Sequence, residues 1–246
     1  MTPPDIALIE RATVAAVAPE ALEELDGWLL PFDSGTINRA RAAVPLTHQA
    51  CDESLLARIE ARYLARGLPP AFRLATEPCF EGLRRDLLGR GYRTERPALV
   101  QVGTTQAMLE VTDQPPADTD PAPDAAWAAL FLGEGFDPVD GASRVKALSR
   151  AHGTRFASVR EGDGTVAAGA GAFSHGWASV HGMRTNAAFR RRGFAGRVLA
   201  GLARAAQQQG LARTFLQVEE GNAAAEALYR RAGFSTVWSY EYWRRP

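Results

Sequence analysis

The residues best suited to chemistry lie in a short segment rich in arginine and glycine, residues 190–196, RRRGFAG. Before it, residues 179–185 have the pattern of a β-strand, and from Phe194 onward apolar residues recur at helical spacing. Small residues between a strand and a helix let successive amide groups point into one space, where the helix dipole adds partial positive charge. Such a turn suits a pyrophosphate group, and the three arginines raise the local potential further.

Taken alone, this turn is equally consistent with a structural strand-to-helix connection that carries a solvated basic rim. Two other phosphate motifs are excluded, because the segment has neither the Gly-Lys-Ser/Thr ending of a P-loop nor three glycines in the dinucleotide-binding arrangement. A second segment favours ligand binding. Residues 214–234, TFLQVEEGNAAAEALYRRAGF, predict a strand and then a helix that Asn222 caps at its start and Gly233 at its end.

Together the two segments resemble the signatures of the GCN5-related N-acetyltransferase (GNAT) family. The first signature, Arg/Gln-x-x-Gly-x-Gly/Ala, is met by Arg190, Gly193 and Ala195. The second, Asn-x-x-Ala-x-x-x-Tyr followed by Gly-Phe, is met by Asn222, Ala225, Tyr229, Gly233 and Phe234. Each signature alone is weak, whereas both in this order, about thirty residues apart, are a strong indication.

The resemblance implies an α/β chain with the GNAT fold, a central mixed sheet flanked by helices, and it covers residues 125–246. The two halves also share a weak internal similarity: LRRDLLGRGYRT of the first half aligns with AEALYRRAGFST of the second, so that Gly91 matches Gly233. The Trp-Leu-Leu at residues 28–30, with the segment 36–41 after it, is similar to the front part of bacterial two-domain GNAT proteins, although Arg41 stands where asparagine is expected. These features suggest a tandem arrangement with one sheet in each half.

The first half has no counterpart of the arginine turn, and Leu87 falls where the second half has Tyr229. We therefore expect a degenerate GNAT-like domain at residues 1–111 and a catalytic GNAT domain at residues 125–246. Residues 112–124, TDQPPADTDPAPD, are rich in proline and aspartate and predict a linker or exposed loop without helix or sheet.

The resemblance implies transfer of an acetyl group directly from acetyl-CoA to a primary amine, and no cysteine or serine lies in a nucleophile setting. It implies that the Met183 amide faces the thioester oxygen and that Tyr229 gives a proton to the departing thiolate. In isolation Tyr229 is also consistent with a tyrosine that packs its ring on the sheet. The residues expected to bind the cofactor are Met183, Arg184, Thr185, Arg190, Arg191, Arg192, Gly193, Phe194, Ala195, Gly196 and Asn222.

The base that takes the amine proton is less clear from the sequence. His181 shares one face with Met183 and Thr185 if the strand is regular, and Glu219 and Glu220 end the next strand. Each of these residues also has an ordinary structural explanation, His181 as a half-buried strand residue and the glutamates as solvated strand ends. The predicted catalytic residues are Tyr229, His181 and Glu219. Three aromatic residues could line the acceptor pocket or belong to the core: Trp127, Phe131 and Phe136.

The composition of the chain limits the kinds of binding partner that can be expected. The chain of 246 residues has no formal net charge and a pI near 6.9, which offers no bulk electrostatic case for nucleic acid or an anionic membrane. No leader segment or membrane-length apolar run is evident, so we expect a cytoplasmic protein, monomeric or homodimeric. Cys51 and Cys79 form no metal-ligand pattern with the histidines, so buried free thiols and no metal are expected.

Neutral charge mildly favours a small metabolite or amino-acid-like amine as acceptor. The alternatives are a protein N-terminal or lysine acetyltransferase, an enzyme for another acyl donor, and a non-catalytic acyl-CoA-binding sensor. Apolar periodicity, together with the glycine and proline residues that end helices and strands, predicts the remaining elements: helix or strand 7–17, helix 19–25, a hairpin of strands 28–32 and 36–44, helix 52–66, strand 71–75, helix 80–89, strands 98–102 and 108–111, helices 125–132 and 143–151, and strands 155–160, 165–173 and 236–243.

Overall fold

The computed structural model describes residues 1–50, 54–95, 97–133, 137–162 and 164–246. Helices in these ranges are α1 Pro3–Ala15, α2 Ser54–Leu64, α3 Glu81–Gly89, α4 Thr105–Leu109, α5 Ala125–Leu132, α6 Pro138–Arg150, α7 Phe194–Gln208 and α8 Ala223–Arg231. Strands are β1 Ala21–Leu25, β2 Trp28–Phe32, β3 Val44–Pro45, β4 Ala71–Ala75, β5 Arg93–Thr94, β6 Ala98–Thr104, β7 Asp118–Asp120, β8 Arg155–Glu161, β9 Gly164–Ser174, β10 Trp177–Thr185, β11 Arg213–Glu219 and β12 Ser235–Arg244. Short 3₁₀ turns lie at Asn38–Ala40, Pro78–Phe80 and Ala187–Phe189.

One sheet of nine strands runs through both halves of the chain, in the order β4-β12-β6-β11-β10-β9-β8-β7, with β5 beside β12. Within the described ranges its neighbouring strands are antiparallel, except for β10 and β11, which are parallel. A smaller sheet contains β1, β2 and β3. The large sheet is therefore mixed, as the sequence predicts for the second half.

Strand β6 comes from the amino half but lies between two strands of the carboxyl half. It pairs with β11 from Ala98 opposite Glu219 to Thr104 opposite Arg213, and with β12 along its other edge. The two halves therefore share one sheet and one set of backbone hydrogen bonds.

Helix α7 covers one face of this sheet. Its apolar stripe buries Val198, Leu199 and Leu202 in a core that also contains Val180 and Leu216. Burial of one such side chain contributes about 1.5–3 kcal/mol. The opposite face is covered by α5 and α6, where the rings of Trp127 and Phe131 stack with centroids 4.5 Å apart.

The structure settles one amino-terminal prediction that was left open and contradicts two others. The ambiguous residues 7–17 are largely helical, because Thr2 and Asp5 form a capping box at the start of α1. The predicted helix 19–25 is wrong: β1 and β2 form a hairpin about Asp26 and Gly27, whose φ angles of 45° and 78° suit a tight turn.

The predicted strand 36–44 is also wrong. Its centre is the 3₁₀ turn Asn38–Ala40, and only its end joins a sheet. Ala43 instead forms backbone hydrogen bonds with β4. Its amide donates to Ala71 O and its carbonyl oxygen accepts from Arg73 N, each at 2.8 Å. The alternation in the sequence does not reveal that this segment must bend between two separate sheets.

The prediction of no regular structure for residues 112–124 fails at β7, which forms an edge strand against β8. The predicted strand 108–111 is instead the end of α4 and the turn that follows it. Just before β7, Ala117 is buried under α7 and its amide donates to Arg197 O at 2.9 Å. Contact with a helix, not composition, therefore sets the path of this segment. Cys51 lies outside the described residues, and Cys79 is a free, half-buried thiol.

Replacement of Gly201 by alanine is expected to lower the free energy of unfolding by about 1–3 kcal/mol. A Cβ atom there would lie 2.4 Å from the Ala117 carbonyl oxygen, so backbone must shift. The same substitution at Gly89, at the end of α3, meets nothing within 4 Å and should stabilise the protein by up to about 1 kcal/mol. Urea unfolding of both variants tests this, and equal effects would contradict it.

Candidate functional site

A cleft opens where β10 and β11 separate. The two strands pair at Ala178–Thr214, Ser179–Phe215 and Val180–Leu216, and beyond this point no pairing between them is found in the described residues. In the same place β10 has a bulge between His181 and Arg184, and Gly182 has a φ angle of 57°. The resulting cleft has a volume of about 1170 Å³ and reaches both faces of the sheet.

The start of α7 forms one end of this cleft. Arg191 and Gly193 have φ angles of 63° and 83°, which turn the chain so that it can enter the helix. The amides of residues 191–195 donate to no acceptor in the described parts of the chain. A fifteen-residue helix therefore presents an unsatisfied amide array to the cleft, which fits an anion such as the pyrophosphate of coenzyme A.

The three arginines of the turn have different positions. Arg190 and Arg191 line the cleft. Arg192 does not: its guanidinium carbon lies 5.2 Å and 5.0 Å from the ring centroids of Phe189 and Phe194, and its Nη2 lies 3.7 Å from Glu161. Stacking on two aromatic rings holds this side chain away from the cleft.

Tyr229 faces the cleft from α8. Its side chain is 7% exposed and its ring packs against Phe234 at a centroid distance of 6.0 Å. Its hydroxyl group makes no hydrogen bond within the described ranges, and burial raises the pKa of Tyr229 to about 12. The hydroxyl is therefore protonated at neutral pH and available to a group bound in the cleft.

The other face of the sheet presents His181. Ser179 donates its single hydroxyl proton to Ala172 O at 3.1 Å, so it must accept from His181 Nε2 at 2.8 Å. The Nδ1 atom then carries the lone pair, and it accepts from Arg39 Nη1 at 3.3 Å. Burial first, and then Arg39, hold the pKa of His181 well below its usual range. The imidazole is neutral with both nitrogen atoms engaged.

The bulge changes which side chains share a face. Met183 packs with the core beneath α7, whereas His181 contacts Arg39 on the opposite side of the sheet. The expectation that His181, Met183 and Thr185 share one face is wrong, because it required a regular strand. Arg184 follows with its guanidinium carbon 5.5 Å from the ring centroid of Phe131.

Asn222 and Glu219 lie at the carboxyl end of β11. Asn222 caps α8 by accepting from Ala225 N at 3.3 Å, as predicted, and Gly233 ends that helix with a φ angle of 80°. Glu219 is exposed and lines the cleft. Glu220 is not among the residues of the cleft wall.

The cleft thus brings together all the residues predicted for the site except Arg192. Of the three aromatic candidates, Phe131 lines the cleft, Trp127 is core with its indole N–H donating to Ala157 O at 3.1 Å, and Phe136 lies outside the described residues. Sequence reasoning missed several lining residues, because they reach the cleft only through tertiary packing: Arg39, Val111, Thr112, Arg144 and Gln217.

The described residues show neither a metal-ligand cluster nor a membrane-spanning helix. They contain no cluster of three or more His, Cys, Asp or Glu side chains placed to hold a metal ion. None of their helices combines the length and the apolar character needed to cross a lipid bilayer.

The family described as probable histone acetyltransferase Rv0428c, C-terminal, matches residues 4–243. The chain belongs to this family. No curated protein matches its sequence.

Among solved structures, a GCN5-related N-acetyltransferase from Kribbella flavida is 17% identical, with a TM-score of 0.72 over 98% of this chain and 95% of that one. A tandem GNAT protein from the clavulanic acid biosynthesis pathway is 12% identical, with a TM-score of 0.60 over 97% and 94%. A functionally unknown protein from Staphylococcus epidermidis is 10% identical, with a TM-score of 0.70 over 93% and 94%. The fold is therefore that of GNAT acetyltransferases.

Proposed function

We propose that the protein is an N-acetyltransferase that moves an acetyl group directly from acetyl-CoA to the primary amine of a small molecule. One observation carries this proposal: the unpaired amides at the start of α7 and the hydroxyl of Tyr229 face the same cleft, where β10 and β11 separate. Acetyl-CoA supplies an activated thioester when it is bound.

Different residues of the cleft would bind the cofactor, stabilise the oxyanion and transfer protons. The amides of residues 191–195 bind the pyrophosphate, and the Met183 amide stabilises the tetrahedral oxyanion, a contribution of about 3 kcal/mol. Tyr229 gives its proton to the departing thiolate. Glu219 is the better candidate for the base that accepts the amine proton, because both nitrogen atoms of His181 are engaged and Arg39 opposes a positive charge on it.

The value of kcat is expected to show no loss from Tyr229 ionisation between pH 7 and 10. The phenol acts in its protonated form, and its pKa of about 12 keeps roughly 99% of it protonated at pH 10. A pH profile of kcat measures this. A decline with a midpoint near 9, absent from the residual activity of Tyr229→Phe, would contradict it.

Two measurements test the function itself. Calorimetry with coenzyme A and acetyl-CoA should show association, and a panel of amines should release free thiol from acetyl-CoA. Binding without thiol release would favour a non-catalytic sensor, and no association would remove the assignment. Thermal shifts with acetyl and longer acyl thioesters compare donors, since a ligand at one hundred times its Kd stabilises by about 2.7 kcal/mol.

Acetylation of protein lysine is the second candidate, because the family description names a probable histone acetyltransferase. A histone tail is rich in positive charge. The part of the cleft where the acceptor would bind, called the acceptor end below, contains Arg39, Arg144 and Arg184. Like charges disfavour this acceptor, so a small amine is the better proposal. The amino half, at residues 1–111, would then shape the acceptor site, since Arg39 comes from it.

A further inference from the structure

We infer that the acceptor amine also carries a carboxylate, and that Arg39 binds this carboxylate. The inference rests on the proposed acetyl transfer and names the class of acceptor: an amino acid or a similar zwitterion. It is carried by an uncompensated guanidinium group in the wall of the cleft.

Arg39 is placed by the 3₁₀ turn Asn38–Ala40, whose Ala40 is buried in a small apolar cluster with Ala147 of α6. Its Nη1 donates to Gln217 Oε1 at 3.1 Å and to His181 Nδ1 at 3.3 Å. Both acceptors are neutral. No carboxylate within the described ranges lies at ion-pair distance from Arg39.

The groups around Arg39 make its positive charge electrostatically unfavourable unless an anion binds beside it. Burial lowers the pKa of Arg39, Tyr242 and Tyr240 oppose this, and the charges of Arg144 and Arg73 lower it further. Arg73 is compensated, because it forms a buried ion pair with Glu10. A half-buried charge without an opposite charge is costly, and a bound carboxylate would offset that cost at Arg39.

Two more arginines face the same end of the cleft. Arg144 Nε donates to Asp140 Oδ2 at 2.6 Å, and Asp140 Oδ1 accepts from Thr36 at 2.8 Å, so this carboxylate is already bound. Arg184 lies over the ring of Phe131. Arg39, Arg144 and Arg184 thus share this part of the cleft with two carboxylates, Asp140 beside Arg144 and Glu219 in the cleft wall. The excess of positive charge among these described residues attracts an anionic acceptor and repels a lysine-rich peptide.

The distance to the reacting centre suits a small zwitterion. His181, which contacts Arg39, precedes Met183 by two residues on β10, and two residues of chain span at most about 7 Å. An amino acid can place its carboxylate on Arg39 and its amine near the Met183 amide. Phe131 closes this end of the cleft with an apolar surface.

Thiol release from acetyl-CoA, measured with L-amino acids and with the amide of each amino acid, tests the inference. The amide keeps the shape and the amine but removes the negative charge. The wild-type protein should prefer an amino acid over its amide by about 30-fold in kcat/KM. Arg39→Gln should raise KM for the amino acid by a similar factor and leave the rate with the amide within about twofold.

Arg85→Gln is the matched control, since Arg85 is exposed on α3 and should affect neither substrate. Equal rates with acids and amides, equal losses for both in Arg39→Gln, or activity with a lysine-rich peptide alone would overturn the inference. If Arg39→Gln does not fold, the wild-type comparison of acids with amides decides. No thiol release with any acceptor contradicts the proposed function, and with it the inference.

Discussion

Replacement of Tyr229 by phenylalanine is expected to lower kcat at least about 100-fold while the Kd for acetyl-CoA changes less than about twofold. The ring of Tyr229 packs against Phe234, and its hydroxyl makes no hydrogen bond in the described structure. Phenylalanine therefore keeps the packing and removes only the proton that the thiolate would receive. Steady-state kinetics and calorimetry measure the two quantities separately.

Tyr63→Phe is the matched control for this prediction. The Tyr63 hydroxyl donates to Pro31 O at 2.8 Å in the amino-terminal core, away from the cleft. Its loss should lower the free energy of unfolding by about 1 kcal/mol without a change in kcat. Unchanged turnover in Tyr229→Phe would show that Tyr229 only packs against the sheet.

Ala195→Asp is expected to weaken acetyl-CoA binding by about 100-fold without destabilising the fold. Ala195 lies in the first turn of α7 and lines the cleft, where the unpaired amides would face the pyrophosphate. A carboxylate at this position would stabilise the helix by about 0.3–1 kcal/mol and would also repel the anionic ligand. Stability and affinity should therefore change in opposite directions.

Ala188→Asp introduces the same charge at an exposed residue of the 3₁₀ turn Ala187–Phe189, and Ala188 itself is not part of the cleft wall. It should leave affinity within a few-fold, because exposed charges at a distance are screened by salt. Calorimetry and thermal unfolding of both variants test the pair. Tight binding by Ala195→Asp would mean that the start of α7 does not hold the pyrophosphate.

The elements that could be predicted from the sequence are those that local chemistry determines. The helix that follows the arginine turn has its apolar stripe at Phe194, Val198, Leu199 and Leu202, and it begins close to the predicted position. The caps Asn222 and Gly233 act as expected, because a cap depends on its own helix.

The parts that could not be predicted depend on distant segments. Arg39 enters the cleft because Ala40 packs against Ala147 and because Gln217 and His181 accept its hydrogen bonds, and each of these contacts spans over one hundred residues. The bulge at Gly182 has no local sequence pattern other than one glycine. The hairpin of β1 and β2 was missed because Pro19 and the residues after it also suit a helix start.

The position of β6 has a consequence for how this chain acquires its structure during synthesis. Strand β11, one wall of the cleft, is paired on one edge with a segment made more than one hundred residues earlier, and β12 then fills the gap between β6 and β4. The pairing of β6 with β11 can form only after residues 213–219 have been made, and the pairings with β12 only after residues 235–244. Until then, β4 and β6 have unpaired edges in the nascent polypeptide, and chaperones would be expected to shield them.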